Sequence, residues 1–449
     1  MFGLRPAFPG GIRLPVLERR DDAAVVRQLP FAPRLFLPLR QHPGAAAVAV
    51  VRAGEEVLRG QLLARADDET AVPLHAPATG RIVGISEQPD RDLTTVSVIE
   101  LAPLPGDTQE DPGRPVRDPT AAGPEALLAA IGDSGLVGLG GEAGPTALRL
   151  ARARARGVRV LVVNGIEGEP GFTRIPALLA RHGDDVLTGL RCLLRVLEAD
   201  QAVLAVEEAD GAAAGALLAR ASQDTRPALQ ILPPRYPQGA AELLLRRLAR
   251  SGSDGGRALA ADPAVVFSLA TVAEVGRLLS GGLTLTDQLI TLAGDGLGDP
   301  GNYRVPLGTP VRFALEQAGV LADLDRVLAG GPMRGQALAD LDRPIVKGAT
   351  GFVAVAADGS ARVPEPMACI RCGECVAACP LNLHPAELGL LARREEVQAM
   401  VEDYQLERCF ECGCCAYVCP SHIPLVQIFR AAKDQWRRAR AAAVAQERT

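Results

Sequence analysis

The stretch Cys369-Ile-Arg-Cys-Gly-Glu-Cys-Val-Ala-Ala-Cys-Pro380 places four thiols within eleven residues and then stops at a proline. A second quartet, Cys409, Cys412, Cys415 and Cys419 before Pro420, repeats this C-x2-C-x2-C-x3-C-P spacing 40 residues later. The chain has ten cysteines, and only Cys192 precedes Cys369. A disulfide framework spreads its bridges over the loops it closes, so such clustering favours metal. Structural zinc takes two separated Cys pairs per ion, whereas these thiols come as two quartets.

The spacing has a physical reason. Three thiolates two residues apart wrap a tight loop around one iron–sulfur cube, with the loop's N–H groups turned toward the sulfides. The fourth cysteine begins a helix, leads away from that cube and ligates the other one. Proline after it fixes φ and removes an N–H at the turn. This predicts one [4Fe–4S] cluster at Cys369, Cys372, Cys375 and Cys419, and a second at Cys379, Cys409, Cys412 and Cys415. Cys414 is read as a non-ligand beside the second cluster and Cys192, in Gly-Leu-Arg-Cys-Leu-Leu, as an inert core residue. His384 and His422, just after the quartets, are read as polar caps.

Composition narrows the rest. With 449 residues, 48% of them apolar, the chain can bury several cores. Its 48 Lys and Arg against 53 Asp and Glu give a net charge of −5 with no basic block, which argues against nucleic-acid binding. There is no uncharged apolar run of about 18 residues, and the prolines and glycines of the first fifteen residues do not suit a signal peptide. A cytoplasmic chain, attached to a membrane only through partners, is the expectation.

The fold class expected is α/β multidomain. Residues 1–101 contain short β-rich runs, and Val51–Val57 with His75–Gly80 look like two halves of a barrel-sandwich hybrid. A biotinyl or lipoyl carrier of that fold needs a hairpin lysine. The only lysines are Lys347 and Lys433, leaving a structural or docking module. Residues 102–123 are a Pro-rich acidic linker. From 124 to 282, helical patterns (145–156, 184–198, 212–222, 240–251) alternate with β-branched runs (158–164, 202–206, 229–232), which predicts a Rossmann-like α/β domain with a mostly parallel sheet. Ligands bind such sheets at the carboxyl ends of strands, where Asn164, Glu167 and Glu169 fall. Residues 283–345 fit a small β-grasp domain closed by the turn Gly330–Gly335, and 360–430 form the two-cluster, α-helical segment. The last piece, 431–449, is a helical tail, and across its start Phe429 and Trp436 at helical spacing mark a docking face or, alternatively, a plain solvated helix.

Gly138-Leu-Gly-Gly-Glu-Ala-Gly-Pro-Thr146 stands before a helix, with bare backbone suited to phosphate. Together with Gly10–Ile12, Leu37–Gly44, Gly60-Gln61, Val163–Pro170, Tyr236–Gly239, Pro300–Tyr303, Pro306–Thr309, Gly330–Met333 and both quartets, the chain resembles the RnfC/RsxC family, the C subunit of the Rnf/Rsx electron-transport complex. That family is related to the flavin- and NADH-binding subunit of respiratory complex I. The likeness spans nearly the whole chain.

The resemblance implies a middle domain that binds FMN and meets NAD(H), an SLBB-like β-grasp domain, and two-cluster ferredoxin-like relays toward membrane subunits. Gly138, Gly140, Gly141, Thr146, Asn164, Glu167 and Glu169 are the flavin or NADH positions it implies. Glu167 and Glu169 keep a second reading, as helix-start acids favoured by the dipole. The family loop GxGGAGFPT here has Glu142, Ala143 and Gly144 where Ala, Gly and Phe stand, and the family's ECEP has Gly168 for its cysteine. A carboxylate near a phosphate opposes it, so altered or lost flavin affinity is expected. The implied function is a peripheral subunit on the cytoplasmic face of the cell membrane, linking NAD(H) and ferredoxin or flavodoxin to ion translocation. The rivals are a non-catalytic electron wire with a degenerate flavin site, and a soluble cobalamin-reductase-like flavoprotein. The latter is disfavoured because its barrel-sandwich segment is expected after the clusters.

Overall fold

The computed structural model describes residues 8–15, 23–89, 95–105, 119, 121–222, 226–251, 259, 263–321, 323–357 and 364–447. Most of the linker assigned to 102–123 lies outside them. The strands described form four sheets. Two of them, Leu35–Pro38 with Thr95–Pro103, Gly80–Pro89 and Glu56–Val57, and Val48–Ala49 with Leu62–Arg65 and Leu74–His75, make the N-terminal barrel-sandwich. Its interior is Leu35, Leu37, Val57, Leu63, Ile82, Ile99 and Leu101, alternating inward along the strands.

The middle domain is the parallel sheet that its β-branched runs predict. Its spatial order is Ala228–Leu232, Gln201–Glu207, Val160–Gly165, Ala264–Ser268. Val160, Leu161, Val162 and Val163 are buried on both faces, as a central parallel strand requires. Over one face, helices Gly183–Leu197 and Leu269–Gly281 cross with their backbones in contact. A Cβ on Gly189 would lie 1.8 Å from the Val272 carbonyl oxygen, and one on Gly276 1.9 Å from that of Asp185. Only glycine permits that approach. Cys192, on the first of these helices, is fully buried among leucines.

The β-grasp sheet reaches beyond 283–345. Its order is Val26–Gln28, Gly301–Pro306, Asp287–Ala293, Gly351–Ala356, Leu324–Ala329, Gln336–Ala337, so it recruits a strand from the N-terminal region and another past residue 345. Helix Val311–Gln317 covers it through Val311, Ala314 and Leu315. The cysteine region is short helices Glu374–Ala377, Pro385–Arg393, Val397–Glu402 and Cys414–Tyr417, followed by Leu425–Glu447. That final helix begins before 431, and its first turns are core. Phe429 is 1% exposed and Trp436 packs against the same cluster of Leu388, Met400 and Leu406, so this pair does not form an outward docking face.

Polar clasps join the domains. Lys347 Nζ donates to the carbonyls of Pro73 (2.6 Å) and Gly135 (2.7 Å), one from the barrel-sandwich and one from the α/β domain. Burial holds this amine down at about 7, where a neutral –NH2 still has a donor for each carbonyl. His75 nearby is pushed down to about 3 by burial and then by Lys347. Above about pH 7 the folded chain sheds the Lys347 proton while the unfolded chain keeps it up to an ordinary lysine value. Stability therefore rises with pH in that window, by about 1 kcal/mol per pH unit. Lys347→Met should flatten this limb of a urea-midpoint profile, and an unchanged slope would refute the assignment.

Candidate metal centres and the glycine-rich crevice

The two cysteine loops repeat in conformation as well as spacing. Arg371 and Glu411, Gly373 and Gly413, and Asn382 and His422 are three pairs in matching positions, all with left-handed backbone. A loop that coils around a central object needs these reversals; Gly373 and Gly413 each precede a short helix carrying the third cysteine, and the fourth follows that helix rather than beginning one, contrary to expectation. Proline then follows the fourth. His422 thus serves a turn, and His384 stands at the N-cap of Pro385–Arg393 without a side-chain capping bond, so the polar-cap reading does not hold for His384. Its ring stays out because the backbone at 384 is not in the geometry a side-chain cap uses (φ −106°, ψ 77°).

Cys369, Cys372, Cys375 and Cys419 line one cavity, with Ile370, Leu390 and Pro420. Cys379, Cys409, Cys412 and Cys415 line a second, with Cys414, Leu388 and Phe429. The crossing of the fourth cysteines is therefore present: Cys419 joins the first loop, Cys379 the second. Among the described residues no three His, Cys, Asp or Glu groups gather tightly enough for a single metal ion. Thiols in fours, held apart around a mostly apolar void, fit a polynuclear cluster rather than mononuclear zinc. Burial pushes the Cys409 thiol up to about 11 and raises Cys379 and Cys415 too, so metal loading must release protons. Cys414, fully buried, is hydrogen-bonded to Cys412; that bond lowers Cys412 and raises Cys414.

The surroundings of the two cavities differ. Around the first, Cys372 is exposed, as are Ile370 (68%) and Met367 (56%), and a Cβ on Gly373 would meet nothing. The second is clamped to the body. A Cβ on Gly413 would lie 2.6 Å from the Met333 carbonyl, Tyr236 donates its hydroxyl to the Cys412 carbonyl at 2.6 Å, and Gly11 N–H donates to Ala378 O at 2.9 Å. Arg430 pairs with Glu411 at 2.7 Å and donates to the carbonyls of Arg334 and Gly335, while Lys433 pairs with Glu411 and donates to the Cys409 carbonyl. Glu411 takes up one of these two charges, which leaves a net positive charge beside the second cage. Sequence reading missed Tyr236, Gly10, Gly11, Arg430 and Lys433 as cage residues. Its available signal was the Gly10-Gly11 pair and a tyrosine set between prolines.

The glycine-rich loop lies at the carboxyl end of the parallel sheet, where Gly140 meets Ser268. Its backbone, however, faces the chain's own side chains. Glu142 folds back so that its carboxylate would sit 2.3 Å from a Cβ on Gly138 and 2.7 Å from one on Gly140. Arg149 holds it at 3.0 Å and is itself fixed over the Phe267 ring and to the Val266 carbonyl. Asn164 is spent on Gly239 O (2.8 Å) and Ile166 N (3.1 Å). Glu167 pairs with buried Arg174 at 3.1 Å and accepts its N–H, and Arg174 also donates to Leu139 O at 3.0 Å. Glu169, 3% exposed, accepts from Met333 N, Arg334 N and Arg334 Nε. Both carboxylates are engaged within the chain, and Glu167 accepts from the first N–H of helix Arg174–Arg181, the helix-start role that its second reading gave it. Thr146 is buried with an unpartnered hydroxyl, and Gly141 takes a left-handed turn beside Arg334. Of the seven positions implied for flavin, three carboxylate or amide side chains are thus consumed internally, and two glycines lie under an acid. An anionic flavin phosphate does not fit this donor set.

A barrel-sandwich module, a parallel α/β domain and a β-grasp sheet, with two thiol quartets, define a class: multidomain iron–sulfur proteins with a dicluster domain. Family models agree. The RnfC barrel sandwich hybrid domain matches residues 6–103, the Nuo51 FMN-binding domain 131–277, the SLBB domain 289–337 and the 4Fe-4S dicluster domain 368–423. Curated relatives, each the C subunit of an ion-translocating oxidoreductase complex, include those of Pseudomonas aeruginosa (37% identical, 97% of this chain, 56% of the relative), Haemophilus influenzae strain 86-028NP (33%, 95% and 64%) and Yersinia pestis bv. Antiqua (34%, 96% and 69%). The chain belongs to this RnfC family, as its motifs led us to expect. It spans about half to two thirds of the length of these relatives. An NAD+-reducing [NiFe]-hydrogenase in its H2-reduced state shares the fold, with a TM-score of 0.50 at 22% identity over 70% of this chain and 62% of its own. No helix among the described residues is long and apolar enough to cross a membrane.

Proposed function

We propose that this chain is a peripheral iron–sulfur electron-transfer subunit of a membrane-bound complex that couples electron transfer between NAD(H) and ferredoxin or flavodoxin to ion translocation, on the cytoplasmic face. The observation that carries this reading is the sorting of eight thiols, four and four, around two neighbouring cavities. Cys369, Cys372, Cys375 and Cys419 would hold one [4Fe–4S] cluster, and Cys379, Cys409, Cys412 and Cys415 the other. When bound, each cluster supplies reversible one-electron chemistry at a potential set by burial and hydrogen bonds to sulfur. The chain's part is to exclude water around the second cage with Leu388 and Phe429, to fix its loop through Tyr236 and Arg430, and to leave the first cage's rim open to a partner.

The relatives' name supports the setting, and the exposed Ile370 and Met367 beside the first cage suit a transient redox contact. Anaerobic reconstitution is the test. About eight irons with matching acid-labile sulfide per chain, and paramagnetic signals on reduction, are expected. Two zinc ions without sulfide would sink the reading. Co-purification with membrane subunits from detergent extracts tests the assembly separately.

A further inference from the structure

The crevice between the glycine-rich loop and the loop after strand Val160–Gly165 is bridged twice by arginines. On one side Arg174, 5% exposed, spans from Leu139 O to the Glu167 carboxylate. On the other, the Arg334 guanidinium comes from the β-grasp domain; a Cβ on Gly168 would lie 3.6 Å from its terminal nitrogen and one on Gly141 3.8 Å. Arg334 is pinned there by Glu169. The Glu142 carboxylate covers Gly138 and Gly140, held by Arg149. The segment after Lys347 closes over the same loop, because a Cβ on Gly348 would lie 2.6 Å from that of Ala143. Each charge in the crevice thus has an opposite partner within the chain, and the bare backbone that would cradle a phosphate already has a carboxylate against it. A second anion there would meet Glu142 first.

From this geometry we infer that the crevice is sealed against FMN, with Glu142 as the excluding group, and that the domain acts as a brace. Its strand-end acid Glu169 holds Met333 and Arg334, whose carbonyls in turn contact Gly413 and Arg430 of the second cysteine cage. Hydride chemistry then has no seat on this chain, and traffic through it is by single electrons at the thiol quartets. The inference goes beyond the proposed function, which requires only the clusters.

The test uses the full chain, purified anaerobically with its clusters, and reads flavin and iron on the same sample. Acid-released FMN should be far below one per chain, and added FMN should show no saturable fluorescence quenching. NADH alone should leave the cluster absorbance unbleached while dithionite bleaches it. Glu142→Gly should raise FMN affinity by about tenfold or more, and Glu142→Gln, which keeps the volume and drops the charge, should raise it by less. Stoichiometric FMN in the unmutated chain, or bleaching by NADH, would overturn the inference. Failure of both variants to gain affinity would overturn the role given to Glu142. Missing iron would instead count against the cluster assignment and leave the flavin result readable.

Discussion

Cys412→Ser is expected to halve the iron of the anaerobically purified chain, from about eight atoms to about four, while Cys414→Ser leaves it at about eight. The two residues are near neighbours, both buried, both thiols on the rim of the same cavity, so composition does not separate them. Geometry does. Cys412 occupies the second position of the C-x2-C-x2-C loop, with its carbonyl held by Tyr236 and its thiol favoured toward thiolate by the Cys414 hydrogen bond. Cys414 opens the short helix Cys414–Tyr417 and falls between the second and third positions of the loop, outside the quartet's spacing. Losing the second cluster should also loosen the C-terminal domain, because metal binding in such a cage contributes directly to folding. Proteolysis between the Met333 contact and the final helix should accelerate in Cys412→Ser and not in Cys414→Ser. Iron and sulfide analysis decides the matter, and equal losses in both variants would reject the ligand set.

The cages were legible because ligand spacing is local. Eleven residues suffice to state the geometry of a loop around a cube, although Cys379 and Cys419 reach the other loop from the ends of the short helices Glu374–Ala377 and Cys414–Tyr417 rather than from the start of a helix. The parallel sheet was legible for a similar reason, since Val160–Val163 declares a strand buried on both faces. The β-grasp sheet was only partly so. Val26–Gln28 and Gly351–Ala356 join it by pairing with distant strands, and three apolar or mixed residues near the N-terminus carry no mark of that partner. Phe429 and Trp436 misled because spacing gives a face but not its direction, which depends on where the helix enters the domain. The crevice shows both limits. Glu142 in place of a small residue signalled trouble for a phosphate, but Arg334 arrives from another domain, and Arg174 lies beyond the motif Val163–Pro170 and drew no reading. Long-range packing of charged side chains leaves no periodic trace.

The largest stability effect should come from Asp287. This carboxylate, 2% exposed, pairs with Arg304 (2.7 Å), Arg59 (2.8 Å) and Arg277 (3.4 Å), drawn from the β-grasp sheet, the barrel-sandwich and the helix Leu269–Gly281, with Glu274 completing the group. Burial alone would raise its pKa, yet Arg277 and Arg304 outweigh it and hold the group at about 2. Its folded value thus lies below its unfolded one, so the stabilisation is fully present above about pH 4 and is lost as the pH falls toward 2. Asp287→Asn removes the acid from among three guanidinium groups and leaves Glu274 to face them. Breaking a buried pair from one side typically costs about 3–5 kcal/mol, more than the hydrogen bonds themselves contribute, because the remaining charges stay buried. Urea denaturation of the cluster-loaded chain at neutral pH should show that loss, and the variant's acid limb should lack the fall between about pH 4 and pH 2. Because the three arginine partners come from three domains, the same substitution should separate the barrel-sandwich from the rest in limited proteolysis, before the parallel sheet unfolds. A variant within about 1 kcal/mol of the parent would mean that the charge cluster is incidental to how the three domains are joined.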